Sequence, residues 1–186
     1  TSAGNSMSGA SSSASAWTQV VQIDPTHPRH FAREDGSHFF LFNKTAWHYF
    51  SSVHPEVALD RANRLGASVI RVHLEGNTYF SDLGLDAWPW GGTRENPDYS
   101  TFNEAYWERV DERIALAAKH GIGLNLTLFM SLKLPDEAAS FDLVRPYLER
   151  VIARLAQHPN IFCWEVHNEY IANPGFQAAV GRYLKT

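Results

Sequence analysis

Hydrophobic residues in this chain gather into short continuous runs, and between the runs they recur at helical spacing. Residues 68–74 (Ser-Val-Ile-Arg-Val-His-Leu), 123–130 and 161–167 are strand-length runs rich in β-branched and aromatic side chains. Runs of that length and make-up suit the strands of a parallel sheet, apolar on both faces. Residues 38–42 form an earlier run, expected as a first buried strand that opens into the loop Asn43-Lys44-Thr45-Ala46-Trp47-His48-Tyr49-Phe50. Residues 55–65 read as a helix that begins with Pro and stops at Gly66, with Val57, Ala58, Ala62 and Leu65 inward. Residues 106–120 place Val110, Ile114, Ala117 and Ala118 on one stripe and stop at Gly121, and residues 142–157 and 174–184 read as two more helices. A short strand at residues 20–23, then Phe31, the turn Glu34-Asp35-Gly36-Ser37 and Phe39-Phe40, predict an N-terminal hairpin that caps the base of a larger fold. Residues 75–101 form a long loop carrying Tyr79, Phe80, Trp88, Trp90 and Tyr99, and loops of that length within a domain are usually functional.

Strand and helix thus alternate four times, which demands a parallel sheet covered by helices. A doubly wound sheet announces its ligand with a Gly-rich turn after the first strand, and Asn43-Lys44-Thr45 is no such turn. The expected fold class is therefore α/β, a (β/α)8 TIM barrel with only its first four βα units present. A complete barrel takes about 250 residues, whereas this chain has 186. Residues 1–16 read as a flexible Ser/Ala/Gly-rich tail and 17–186 as the N-terminal half of a barrel domain. A half-barrel leaves strand edges open. The expected partner is a C-terminal half-barrel, in cis or as a second chain.

Composition narrows the function classes. Apolar residues at 44%, aromatics at 13% and charged residues at 19% describe a folded globular chain. A net charge of −4 and a pI near 6.1 give no basic field for nucleic acid. No apolar run approaches the roughly 18 residues of a membrane span. The single Cys163 cannot form an internal disulfide and reads as a small buried hydrophobe. The tail lacks the positive start and apolar core of an intact signal peptide, so export to a secreted or periplasmic location is permitted but not shown.

The chemistry concentrates where the run at 161–167 ends in Asn168-Glu169, because α/β folds place reactive groups at the carboxyl ends of their strands. That pair resembles the Asn-Glu ending the fourth barrel strand in the retaining glycoside hydrolases of clan A, which include the cellulase-like family five. The resemblance implies hydrolysis of O-glycosidic bonds in β-linked glycans. Glu169 would be the general acid/base, and Asn168 would hold the substrate's 2-hydroxyl. It places the nucleophile on a Glu ending a seventh strand, which this chain does not contain. Val69-Ile70-Arg71-Val72 is similar to the strand whose Arg orients the catalytic carboxylate there, making Arg71 a third candidate. An Arg among apolar neighbours must be paired, and Glu75 or Glu165 could equally hold it in a structural bridge. A second resemblance, to the apiosidase-like barrel glycosidases, rests on the Asp35-Gly36 turn leading into residues 39–47 with its Thr45-Ala46-Trp47 loop. Ala105-Tyr106-Trp107-Glu108-Arg109-Val110-Asp111 is similar to that family's second helix, although its fourth strand commonly ends in Asp.

Trp47, Trp88, Trp90 and Tyr79 are the candidate platforms for an oligo- or polysaccharide, each equally able to serve as a hydrophobic plug. His73 and His167 at the strand tips join them as substrate-binding candidates. No metal or organic cofactor is required. Two further readings stay open. His73-X-Glu75 and His167-X-Glu169, with residues two apart facing one way, could converge on a divalent metal in a barrel hydrolase. A non-catalytic barrel fragment could instead bind glycan or a partner domain through its aromatic loop.

Overall fold

Polar residues recur at every second position in the later part of each central strand, Arg71 and His73, Asn125 and Thr127, Glu165 and His167, and this period of two gives the parallel sheet two unlike faces. The computed structural model describes residues 15–76, 84–130, 137–169 and 174–185. Most of the tail and Tyr79 lie outside the described residues.

Strands β1 (Val21–Ile23), β2 (Phe31–Arg33) and β3 (His38–Phe39) form an antiparallel sheet in that order. The β2–β3 turn uses Gly36 at φ 81°, a left-handed position that costs glycine little, and Asp35 Oδ1 accepts from Ser37 N at 2.9 Å. The parallel sheet runs β4 (Asn43–Thr45), β5 (Val69–His73), β8 (Gly123–Phe129), β9 (Ile161–His167). Helices α1 (Pro55–Arg64), α2 (Glu104–Lys119), α3 (Glu137–Leu155) and α4 (Pro174–Tyr183) alternate with these strands. Among the described residues no helix is long and apolar enough to cross a membrane.

Ile70, Val72 and Leu74 of the β5 segment and Leu124, Leu126 and Leu128 of β8 are fully buried. They share one cluster with Leu59 and Ala62 of α1, Val110 and Ile114 of α2, and Val144, Leu148 and Val151 of α3. Each such side chain contributes about 1.5–3 kcal/mol through burial. The alternate residues Arg71, His73, Asn125, Thr127, Glu165 and His167 make the opposite face polar, in register across β5, β8 and β9. The expectation of strands apolar on both faces thus fails on this side.

Three further expectations are corrected. Residues 38–42 are not one buried strand: His38–Phe39 belongs to the antiparallel sheet, and Phe40, Leu41 and Phe42 are 83%, 36% and 42% exposed. The parallel strand is the polar Asn43–Thr45, held by backbone pairing with β5 rather than by apolar content. Helix α1 buries Pro55, Leu59 and Ala62 and leaves Val57 and Leu65 about half exposed. Third, the long loop contains a hairpin, β6 (Trp90–Gly92) with β7 (Pro97–Phe102). Its turn is set by Gly92 at φ 69°.

The antiparallel sheet sits at the N-terminal ends of the parallel strands. Phe31 and Phe39 pack on Phe162 at the start of β9, with ring centroids 5.3 and 5.8 Å away. Trp17 donates Nε1 to Pro159 O at 2.9 Å and lies over Gly123, the first residue of β8. The capping role expected of the N-terminal hairpin is therefore the observed one.

Candidate active site

The carboxyl ends of β5 and β8 are anchored to the helices by buried phenols. Tyr106 of α2 donates to Leu74 O, and Tyr147 of α3 donates to Leu128 O at 3.0 Å. The Trp107 indole donates to Pro89 O at 2.9 Å, fixing the entry to the hairpin. Strand tips held in this way give polar side chains a rigid base, which a precise site requires.

Arg71 is the hub of those side chains. Its Nε donates to Glu165 Oε2 at 2.6 Å, and Nη2 donates both to Glu165 Oε1 and, at 3.0 Å, to Asn168 Oδ1. Nη1 lies 3.4 Å from His73 Nε2, which accepts. Thr127 adds a hydroxyl bond to Glu165 Oε2 at 3.1 Å. Burial pushes the Glu165 carboxyl up in pKa, but the hydrogen bonds and charge of Arg71, with Thr127 and His73, hold it below its ordinary value. Burial first, then the Arg71 charge, lowers His73 to about 4, so its imidazole is neutral and able to accept from Arg71. Burial and the Glu165 charge push the Cys163 thiol up to about 11, in keeping with an inert structural cysteine.

The tip of β9 extends the ladder by one bond, Asn168 N to Phe129 O at 2.9 Å. The His167 Nδ1–H donates to Asn168 O at 2.8 Å, and its ring lies on that of Phe129 at 6.4 Å and 25°. Glu169 follows in the left-handed region at φ 48° and is exposed. A non-glycine residue there is strained by about 1–2 kcal/mol, and such strain gathers at functional sites.

Trp47 is 44% exposed and stacks on His73, centroids 5.9 Å apart at 17°. It stands beside the Arg71 cluster. Trp88 and Trp90 do not: they are 7% and 1% exposed, packed edge to face on each other, and Trp90 touches Tyr99 and Tyr147. Arg94 covers Trp88 at 4.8 Å and Trp90 packs on Tyr147 of α3, so in this arrangement both rings act as buried packing residues. Tyr79 was named with them and lies outside the described residues. The structure thus brings together Arg71, His73, His167, Asn168, Glu169 and Trp47, and leaves Trp88 and Trp90 apart.

The bridge from Arg71 goes to Glu165 rather than Glu75. Glu75 is 1% exposed and accepts from Met130 N at 2.6 Å, tying the end of β8 to the segment after β5. The two His-X-Glu repeats do not behave as strand pairs, because β5 ends at His73 and β9 at His167. Each Glu lies beyond its strand, where the alternation that would align it with the His no longer holds. Sequence reasoning missed the Thr127–Glu165 bond and the Trp47–His73 stack. The alternation Arg71, His73 against Asn125, Thr127 against Glu165, His167 was the signal for the polar face.

Comparison with known proteins fits this arrangement. The chain resembles a Bacteroides vulgatus protein assigned as a glycoside hydrolase, with a TM-score of 0.70 and 20% identity over 90% of this chain and 36% of that one. A family 5 glycoside hydrolase from the same organism matches with a TM-score of 0.63 and 20% identity, over 90% and 38% of the two chains. A family 5 mannosidase from Rhizomucor miehei gives 0.58 and 14%, over 88% and 54%. At these identities the likeness is one of fold, and the chain spans little more than a third of the length of the first two. No curated protein sequence matches the chain. The sequence profile of the apiosidase-like catalytic domain matches residues 26–170, well over half of the chain. This chain belongs to the apiosidase-like catalytic-domain family of glycoside hydrolase-like proteins.

Proposed function

We propose that this chain is the N-terminal half of a (β/α)8 catalytic barrel, in a retaining glycosidase that cleaves β-linked glycans with Glu169 as general acid/base. The observation that carries the reading is the Arg71 bridge, which reaches from β5 to Asn168 Oδ1 and fixes the Asn-Glu tip beside a polar sheet face. Glu169 gives its proton to the glycosidic oxygen as the bond breaks, then takes one from the water that releases the glycosyl-enzyme. Asn168 holds the 2-hydroxyl. The nucleophile is a carboxylate on strands beyond this chain, and Arg71 helps to keep it ionised. Trp47 supplies a stacking face for the sugar next to the scissile bond, with His73 behind it. Strands from a C-terminal half, in the same polypeptide or a second chain, would cover the open edges of β4 and β9. All seven residues of β9 are only partly buried although five of them are apolar or Cys, which supports such a neighbour.

The leaving group provides the test. Glu169→Gln in the protein that includes the second half should lower turnover of alkyl or sugar glycosides by about 10²–10⁴-fold, the span of general acid catalysis. Aryl glycosides whose leaving group needs no proton should keep their glycosylation rate. Unchanged turnover of the poor leaving groups would remove Glu169 from the acid role.

A further inference from the structure

Among the described residues the helix layer stops short at the β4 edge of the parallel sheet. Helix α1 buries Pro55, Leu59 and Ala62. At about 100° per residue, Asn63 and Asp60 fall on one flank of that buried stripe, and Ala58, Leu65 and Arg61 on the other. The first flank meets the end of α2: Asn63 Nδ2 donates to His120 O at 3.3 Å, and Asp60 Oδ1 lies 3.9 Å from His120 Nδ1. The second flank therefore faces away from α2, toward the edge of β4 that carries no strand among the described residues. Leu65 on this flank is 59% exposed.

Beside it runs a second apolar strip whose backbone is pinned. Ser68 Oγ donates to Phe40 O at 2.8 Å and accepts from Phe42 N at 2.9 Å, and Ser68 N donates to Phe42 O at 3.0 Å. Phe40 and Phe42 nevertheless keep the large exposure noted above. Phe42 precedes Lys44 by two residues, and Lys44 is in register with Ile70, which is buried beneath the helices. Strand alternation thus turns Phe42 to the helix side of the sheet. A helix flank and a strand edge, both apolar and both fixed, form the two sides of a seat for one more helix.

The handedness of the fold decides which helix that is. Crossovers between parallel strands are right-handed, and α1, which follows β4, lies toward β5 and α2. A helix on the other side of β4 must then follow a strand that pairs with the open edge of β4. In a closed barrel that strand is the last one. We propose that the last helix of the second half-barrel seats here, its apolar stripe against Phe40, Phe42 and Leu65, with the small Ala58 allowing close approach. The completed domain is thereby locked at its first βα unit by its final one. The Bacteroides vulgatus fold relative extends far beyond the matched segment, chain enough to supply such a helix. This inference rests on the half-barrel reading above and not on the role of Glu169.

Site-specific photo-crosslinking tests it in the protein that includes the second half. p-Benzoylphenylalanine at Phe40 or at Leu65, both exposed positions, should link to the last helix of that half, identified by peptide mass. The same probe at Asp60, on the opposite flank, should link to α2 and shows that the chemistry works. Mixing isotope-labelled with unlabelled protein separates links within one assembly from links between copies. Links from Phe40 and Leu65 to a second copy of this chain, to its N-terminal tail or to another segment of the second half would overturn the proposal. So would no link from either position while Asp60 reacts. A link to the last helix in a protein that turns over no glycoside would uphold this inference and remove only the glycosidase reading; turnover with a link elsewhere would do the reverse.

Discussion

Arg71 satisfies two acceptors that would otherwise be left in a half-buried layer, the Glu165 carboxylate and the Asn168 carbonyl. The pair is 18% and 30% exposed, so solvent screens it in part. Arg71→Met should destabilise the chain by about 1–2 kcal/mol, below the 3–5 kcal/mol typical of breaking a fully buried pair, in denaturant unfolding at pH 7. Arg71→Lys should recover little of this, because one ammonium cannot make the bidentate contact. His73 adds a pH dependence of known sign. Its imidazole titrates near 6.5 when unfolded and near 4 when folded, so between those values the unfolded chain binds the extra proton and stability rises with pH. The loss on acidification from 6.5 to 4 is on the order of 3 kcal/mol. Glu165, lowered from 4.5, adds stability that is present above 4.5 and lost as pH falls through its folded value. His73→Gln should flatten the stability profile between pH 6.5 and 4 while leaving the more acidic limb, and an unchanged slope would show that His73 is not its source.

At the scale of elements, β9 and its Asn168-Glu169 tip were legible because an apolar run broke off at a polar pair. Strand β4 was not legible, since Asn43-Lys44-Thr45 is polar and owes its conformation to β5, a neighbour distant in sequence. Trp88 and Trp90 were readable either as sugar platforms or as hydrophobic plugs for a related reason. A tryptophan in a loop looks available to a sugar until the hairpin that buries it is known, and Gly92 with the Trp90–Tyr147 contact makes that hairpin. Glycines give two predictions of opposite sign. A Cβ at Gly123 would meet the Trp17 ring at 2.7 Å, and that ring is held by its bond to Pro159 O. Gly123→Ala should therefore cost about 1–3 kcal/mol and perturb Trp17 fluorescence. Gly181 in α4 has nothing within 4 Å of its Cβ position, so Gly181→Ala should stabilise by about 0.5–1 kcal/mol. Thermal melts of the two variants should move in opposite directions.

For the whole molecule, the helices seal one face of the parallel sheet, and the other carries its polar side chains toward the carboxyl edge. The antiparallel sheet closes the opposite end with Phe31, Phe39 and Trp17. The proposed chemistry at the carboxyl ends of the strands, opposite this closed base, would match the layout of barrel enzymes. Glu165 is neutralised within the Arg71 bridge and Glu75 is bound to Met130 N, so among the described residues Glu169 is the exposed carboxylate at this tip. The proposed division of roles puts the acid/base in this chain and the nucleophile outside it. The most direct measurement uses the protein that includes the second half, trapped with an aryl 2-deoxy-2-fluoro-β-glycoside and mapped by peptide mass. The sugar should be found on a carboxylate beyond these 186 residues; a label on Glu165 or Glu169 would contradict the assignment.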